Sequence, residues 1–144
     1  MPQLTFPFDL NGLYVDVLVS CGSSRMRTLV DQNATIPPAI WTKGMIDTGT
    51  NVSAVSLALL RRLDIPEGES TTSEGIVGGF ATHYYEVSIT IADKSALTGP
   101  TYAPGDVSVI HMDAPSVEVL IGLDVLMGCR LVIDGRVRLF TFEF

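Results

Sequence analysis

The sequence predicts a small all-β domain with one or two short helices. Three observations lead there: strand-like runs recur along the whole chain, helical signal is confined to two places, and helices do not alternate with strands as a doubly wound α/β sheet requires. The 144 residues fit one domain, 1–144, large enough to bury a core without disulfides or metals. Apolar content of 47% with 17% charged residues describes a globular chain, well outside the disordered class.

In order along the chain, Asn11-Gly12 is a turn that opens a β-branched run from Leu13 to Ser20. Cys21 to Pro38 reads as a loop, rich in Ser, Thr and Pro. Met45 and Ile46 end an apolar strand. Ser56 to Leu63 is the first helical stretch, with a serine placed to cap it and a stop before Pro66. Glu67 to Ser73 and Ala92 to Asp106 read as loops on either side of Tyr84 to Ile91, whose second half alternates at strand period. Val107 to Met112 and Val117 to Ile121 are short apolar strands, and Leu123 to Met127 allows about one helical turn. Arg136 to Phe144 sets Phe140, Phe142 and Phe144 on one face of a last strand.

Composition excludes several classes. A net charge of −7 with only Lys43 and Lys94 as lysines argues against nucleic acid and anionic membranes, which both need basic surface. No uncharged apolar run approaches the roughly 18 residues of a membrane helix, and Met1 to Leu10 lacks the form of a signal peptide, so a soluble cytoplasmic protein is expected. Cys21 and Cys129 stand far apart and read as buried thiols of a reduced compartment. His83 and His111 have no nearby cysteine or paired histidine, so no metal site is expected.

The chemistry-bearing segment runs Gly44-Met45-Ile46-Asp47-Thr48-Gly49-Thr50-Asn51-Val52-Ser53. An apolar strand delivers a carboxylate into a tight turn where Gly49 permits approaches that a Cβ forbids. Two carboxylates about 3 Å apart cannot both ionise and so share a proton, leaving one as acid and one as base. The chain holds a single Asp-Thr-Gly. The second carboxylate is therefore expected from a twofold-related copy, because a C2 pair places like residues face to face on its axis. Leu120-Ile121-Gly122-Leu123-Asp124 echoes the first pattern, again a strand running into a glycine turn.

These segments, together with Gly75-Ile76-Val77-Gly78-Gly79-Phe80 between them, resemble the retropepsin-like aspartic proteases over most of Met45 to Leu131. The resemblance rests on three elements in the right order: the Asp-Thr-Gly loop, a glycine-rich hairpin tip about 30 residues on, and two aliphatics with a glycine about 45 residues further. It implies a closed acid-protease barrel working as a homodimer on an extended peptide or protein substrate, with no metal or cofactor. Asp47 is implied as the catalytic carboxylate, Thr48 as the lock between the two active-site loops, and Gly49 as a contact to substrate main chain. Asn51, Ile76, Val77, Gly78, Gly79 and Phe80 are implied to bind substrate, with Ile121 lining the apolar floor of the cleft and supporting the active-site loop. In retroviral members the chain ends form the dimer sheet, a role for which Phe140, Phe142 and Phe144 are candidates here, although the N-terminal region differs from theirs. The sequence departs from the compact retroviral pattern in Thr50, where Ala or Ser is usual, and in the longer stretches Cys21 to Thr42 and Ala92 to Asp106.

Two other readings compete for the same residues. Ile46 to Asn51 also resembles the first phosphate loop of actin-like ATPases and sugar kinases, but those folds need far more chain. A homodimer of the same fold that had lost hydrolysis would act as a peptide-binding module. The intact Asp-Thr-Gly argues against that, since a binding module has no need of a like-charge pair.

Overall fold

The computed structural model describes residues 1–75, 78–113 and 116–144. The elements are β1 (Gln3–Pro7), β2 (Tyr14–Cys21), α1 (Ser23–Asp31), β3 (Ile40–Ile46), β4 (Ala54–Ser56), α2 (Leu57–Arg62), β5 (Ser70–Gly75), β6 (Gly78–Ala92), β7 (Thr101–Tyr102), β8 (Asp106–Met112), β9 (Val119–Ile121), α3 (Leu123–Leu126), β10 (Arg130–Asp134) and β11 (Leu139–Glu143). Strand accounts for 48% of residues and helix for 14%, which makes the chain all-β with a few short helices.

Alternation builds the barrel wall. In β2 the side chains of Val15, Val17, Val19 and Cys21 are buried, while Tyr14, Asp16, Leu18 and Ser20 between them are half-buried. β2 pairs antiparallel with β3 on one side and with β6 on the other. The strand order β2-β3-β9-β4-β8-β6 then returns to β2 and closes a ring, so these six strands have no open edge toward each other. The core inside it is aliphatic, with Val17, Val19, Val55, Ile89, Ile91, Val109, Val119 and Ile121 all without exposed surface. β3 lies parallel to β9, Ile46 beside Ile121, so the two strand-to-glycine-turn patterns of the sequence end side by side.

α2 begins where its serine allows. Ser56 stays extended and its hydroxyl accepts the Leu59 N–H at 3.2 Å. Ser56→Ala is expected to cost about 1 kcal/mol, read as a fall of about 3 °C in Tm by thermal denaturation.

Three expectations are corrected. The stretch from Cys21 to Pro38 is not all loop, because α1 occupies Ser23–Asp31. Its N-terminus lacks a cap of its own; Ser23 N–H donates to Asp106, and the Ser24 N–H and hydroxyl both donate to Glu86. β5 begins at Ser70, inside the second expected loop, because Ser70 and Thr71 pair with His83 and Thr82 of β6. The chain ends also differ from expectation. β11 lies between β1 and β10 of its own chain, and Phe140 and Phe142 are fully buried in that chain's core. Phe6 stacks on Phe140 at 5.6 Å and meets Phe142 edge-on at 6.3 Å. Alternate residues of a central strand face inward together, so these rings belong to the core and are not free for a partner.

Candidate active site

Asp47 is the first residue beyond β3, and the barrel fixes where it stands. Its N–H donates to the Ile121 carbonyl of β9 at 2.9 Å, and the preceding Ile46 N–H donates to Leu13 at 2.9 Å. The carboxylate turns back on its own loop, where the Gly49 N–H donates to Asp47 Oδ1 at 3.0 Å. A Cβ on Gly49 would stand 3.2 Å from that same oxygen, tighter than ordinary contact. Asp47 is half-buried, while Thr48, Gly49 and Asn51 are exposed. The loop therefore presents a carboxylate and main-chain polar groups on an open surface.

The loop is tied to α3 by a compact polar network. Leu123 N–H donates to the Thr50 carbonyl at 2.9 Å and Asp124 N–H to the Asn51 carbonyl at 3.2 Å. Ser53 has no exposed surface. Its hydroxyl donates to Asp124 Oδ1 at 2.6 Å and accepts the Gly122 N–H at 2.9 Å, while its own N–H donates to Asp124 Oδ2 at 2.9 Å. Gly122 must be glycine because a Cβ there would lie 2.9 Å from the Thr50 carbonyl oxygen. Every polar group of Ser53 facing this seam has a partner, which holds the loop to β9 and α3 as one piece.

Tyr102 supports α3 from below. Its hydroxyl donates to the Val125 carbonyl at 2.7 Å. Burial first, with a contribution from Cys129, pushes the Tyr102 hydroxyl above its ordinary value, and burial likewise raises the Cys129 thiol. A group whose folded pKa is raised stabilises the protein below its unfolded pKa, and that contribution is lost as pH rises through the folded value. Unfolding followed from pH 8 to 11 is therefore expected to show a shallower alkaline loss in Tyr102→Phe, with about 1 kcal/mol less stability at neutral pH from the missing hydrogen bond. Tyr85, raised by burial and by Glu67, keeps part of the alkaline slope.

The β5–β6 hairpin carries the other residues singled out in the sequence. Gly75 pairs with Gly78 and Glu74 with Gly79. Gly78, Gly79 and Phe80 are exposed, and Phe80, at 45% exposure, is no part of the core. Ile76 and Val77 lie outside the described residues. Ile121 lies directly beneath the loop: its side chain has no exposed surface and packs against Gly44, and its carbonyl accepts the Asp47 N–H.

The polar root of this hairpin has no signature in the sequence. The Thr82 hydroxyl meets His111 Nδ1 at 2.9 Å, and the Tyr85 hydroxyl donates to Glu67 at 3.4 Å, with His83 3.7 Å from the same carboxylate. These contacts span up to 29 residues, so no local pattern announces them. Among the described residues no three His, Cys, Asp or Glu side chains gather as a metal site requires. Cys21 and Cys129 are free thiols, and no described helix is long and apolar enough to cross a membrane.

A strand pair with a Gly-turn carboxylate at its end, closed into a barrel and followed by a hairpin, defines a class of fold. The chain has a retropepsin-like fold. It is similar to a retropepsin-like aspartic protease from Rickettsia conorii over 97% of this chain and 89% of that one, with a TM-score of 0.59 at 13% identity. The EIAV protease complexed with the inhibitor HBY-793 matches 89% of this chain and 100% of its own at 21% identity, with a TM-score of 0.48. No protein-family model and no curated protein sequence matches the chain.

Proposed function

We propose that residues 1–144 form one retropepsin-like domain, half of a homodimeric aspartic endopeptidase whose water is activated between two Asp47 carboxylates. The observation that carries this reading is Asp47 itself, held at the end of a barrel strand by the Ile121 carbonyl and left accessible on an Asp-Thr-Gly turn. A second copy brings a second carboxylate to the axis, and the pair then shares one proton. The ionised member takes a proton from water as the water oxygen bonds to the peptide carbonyl carbon. The protonated member donates to the carbonyl oxygen. Collapse of the tetrahedral intermediate breaks the C–N bond, the amine leaves with a proton from the pair, and no covalent enzyme intermediate forms.

Thr48 links the two loops across the axis, and Gly49 and Asn51 meet substrate main chain. The β5–β6 hairpin acts as a flap, with Ile76, Val77, Gly78, Gly79 and Phe80 closing over an extended peptide. Apolar flap residues favour apolar side chains beside the cut. The test is incubation with a diverse peptide mixture from pH 3.5 to 7, with products read by mass spectrometry. Cleavage between apolar residues is the expected result. A profile enriched in charged flanking residues would sink the specificity, and a dimer that binds peptides without cutting them would mean a peptide-binding module instead.

A further inference from the structure

A cavity of about 460 Å³ on the flank of the barrel collects residue types that the chain hardly uses elsewhere. The sequence holds two lysines, Lys43 and Lys94, and a single tryptophan, Trp41, against a net charge of −7. All three line this cavity. Trp41 and Thr42 end the first of the two stretches that exceed the retroviral length, and Lys94 stands near the start of the second. The two additions therefore meet at one place. A concave site of this volume, with an aromatic wall and a few polar groups, suits a small molecule.

The acidic side chains of the cavity are already engaged. Asp16 stands opposite Lys43 in the β2–β3 register, and its Oδ1 accepts from the Lys43 ammonium. Asp16 Oδ2 accepts the Lys94 main-chain N–H at 3.1 Å. Glu118 Oε1 accepts the Thr42 hydroxyl at 2.9 Å, and Oε2 accepts from Arg62 at 3.3 Å. Asp93, the neighbour of Lys94 in sequence, is turned to its own loop, where Oδ1 accepts the Ser95 N–H at 2.9 Å and the Ser95 hydroxyl at 2.6 Å. Among the described residues the Lys94 ammonium has no carboxylate partner. The cavity thus has room for one further negative charge. A doubly charged phosphate would be repelled by Asp16 and Glu118 as well, so a singly charged carboxylate is the better match to one point-like ammonium. Trp41 is half-buried and Val117 is buried. The wall near the cation is therefore apolar and suits a flat ring.

We propose that this cavity binds a small aromatic carboxylate, its carboxylate on the Lys94 ammonium and its ring against Trp41. The charge-assisted hydrogen bond orients the ligand, and the ring contact adds the apolar share of the affinity. The site stands apart from the carboxylate loop. Lys43 lies four residues before Asp47, about 13 Å along an extended strand. The inference therefore does not depend on the protease reading.

Trp41 is the chain's one tryptophan, so its emission reports on the cavity alone. Titration of the full chain with phenylacetate is expected to give a saturable change in that emission, with a Kd of about 1 mM. Saturation-transfer NMR on the ligand protons gives the same constant if the emission does not respond. Phenylacetamide lacks the charge and acetate lacks the ring, and each is expected to bind about tenfold more weakly. Lys94→Met keeps the aliphatic stem and the main-chain N–H held by Asp16. Its far-UV circular dichroism should match wild type, while its affinity for phenylacetate falls about tenfold to that of the amide. Asp47→Asn is expected to bind phenylacetate as wild type does. Binding undetectable by both methods, equal affinity for acid and amide, or an unchanged Kd in Lys94→Met would overturn the proposal. Weakened binding in Asp47→Asn would overturn it too, by placing the ligand at the carboxylate loop.

Discussion

Replacing Asp47 with asparagine is expected to remove peptide hydrolysis, lowering kcat by about 10³-fold or more, while fold and pairing stay intact. The amide is nearly the same size as the carboxyl group. Its oxygen can still accept the Gly49 N–H that Asp47 Oδ1 takes at 3.0 Å, so the loop keeps its shape. What disappears is the base, since an amide cannot take a proton from water and a pair of them leaves the site without one. Circular dichroism and sedimentation separate this from misfolding. A mixing experiment adds a test of the shared site. At constant total protein, an equal mixture of wild type and Asp47→Asn would retain about a quarter of the wild-type activity if one carboxylate must come from each copy. A self-sufficient chain would retain about half. Hydrolysis that survives the substitution would remove Asp47 from the chemistry altogether.

The parts of this fold that were legible in the sequence are those where one residue's environment is set by its near neighbours. β2, β8 and β11 show strand signal because each has a buried face, and Ser56 announces α2 because a cap acts three residues away. α1 was illegible for the converse reason. It buries only Leu29, and its N-terminal groups are satisfied by Glu86 and Asp106, 62 and 83 residues distant. The pairing of β2 with β6, which closes the barrel, is likewise a long-range fact. The same division holds at the site. The Asp47 turn is local, so three consecutive residues reveal it, whereas the Ser53–Asp124 contact spans 71 residues. Each of those two residues was noticeable by itself, but only folding shows that they meet. That Phe140 and Phe142 turn into their own chain's core was not legible, because periodicity gives a strand an apolar face without saying what that face touches.

Ser53→Ala is expected to cost about 2–3 kcal/mol, well above the same substitution at Ser56 only three residues away. The Ser56 hydroxyl accepts a single N–H at a helix start. Ser53 is buried, and its hydroxyl both donates to Asp124 at 2.6 Å and accepts from Gly122 at 2.9 Å. Removing it leaves the buried Gly122 N–H without an acceptor and deprives Asp124 Oδ1 of its shortest contact. Water has little room to replace the hydroxyl, because Gly122 already lies against Thr50. The expected fall in Tm is about 8 °C. A second consequence follows from what the network holds. Gly122 is the residue after Ile121, whose carbonyl fixes the Asp47 N–H, so slack at Ser53 reaches the carboxylate through two hydrogen bonds. In the proposed enzyme kcat should then drop by about tenfold or more with KM little changed, since catalytic geometry suffers before substrate contact does. If Ser53→Ala costs no more than Ser56→Ala and leaves kcat alone, the network is only packing, and the position of Asp47 depends on the barrel strands by themselves.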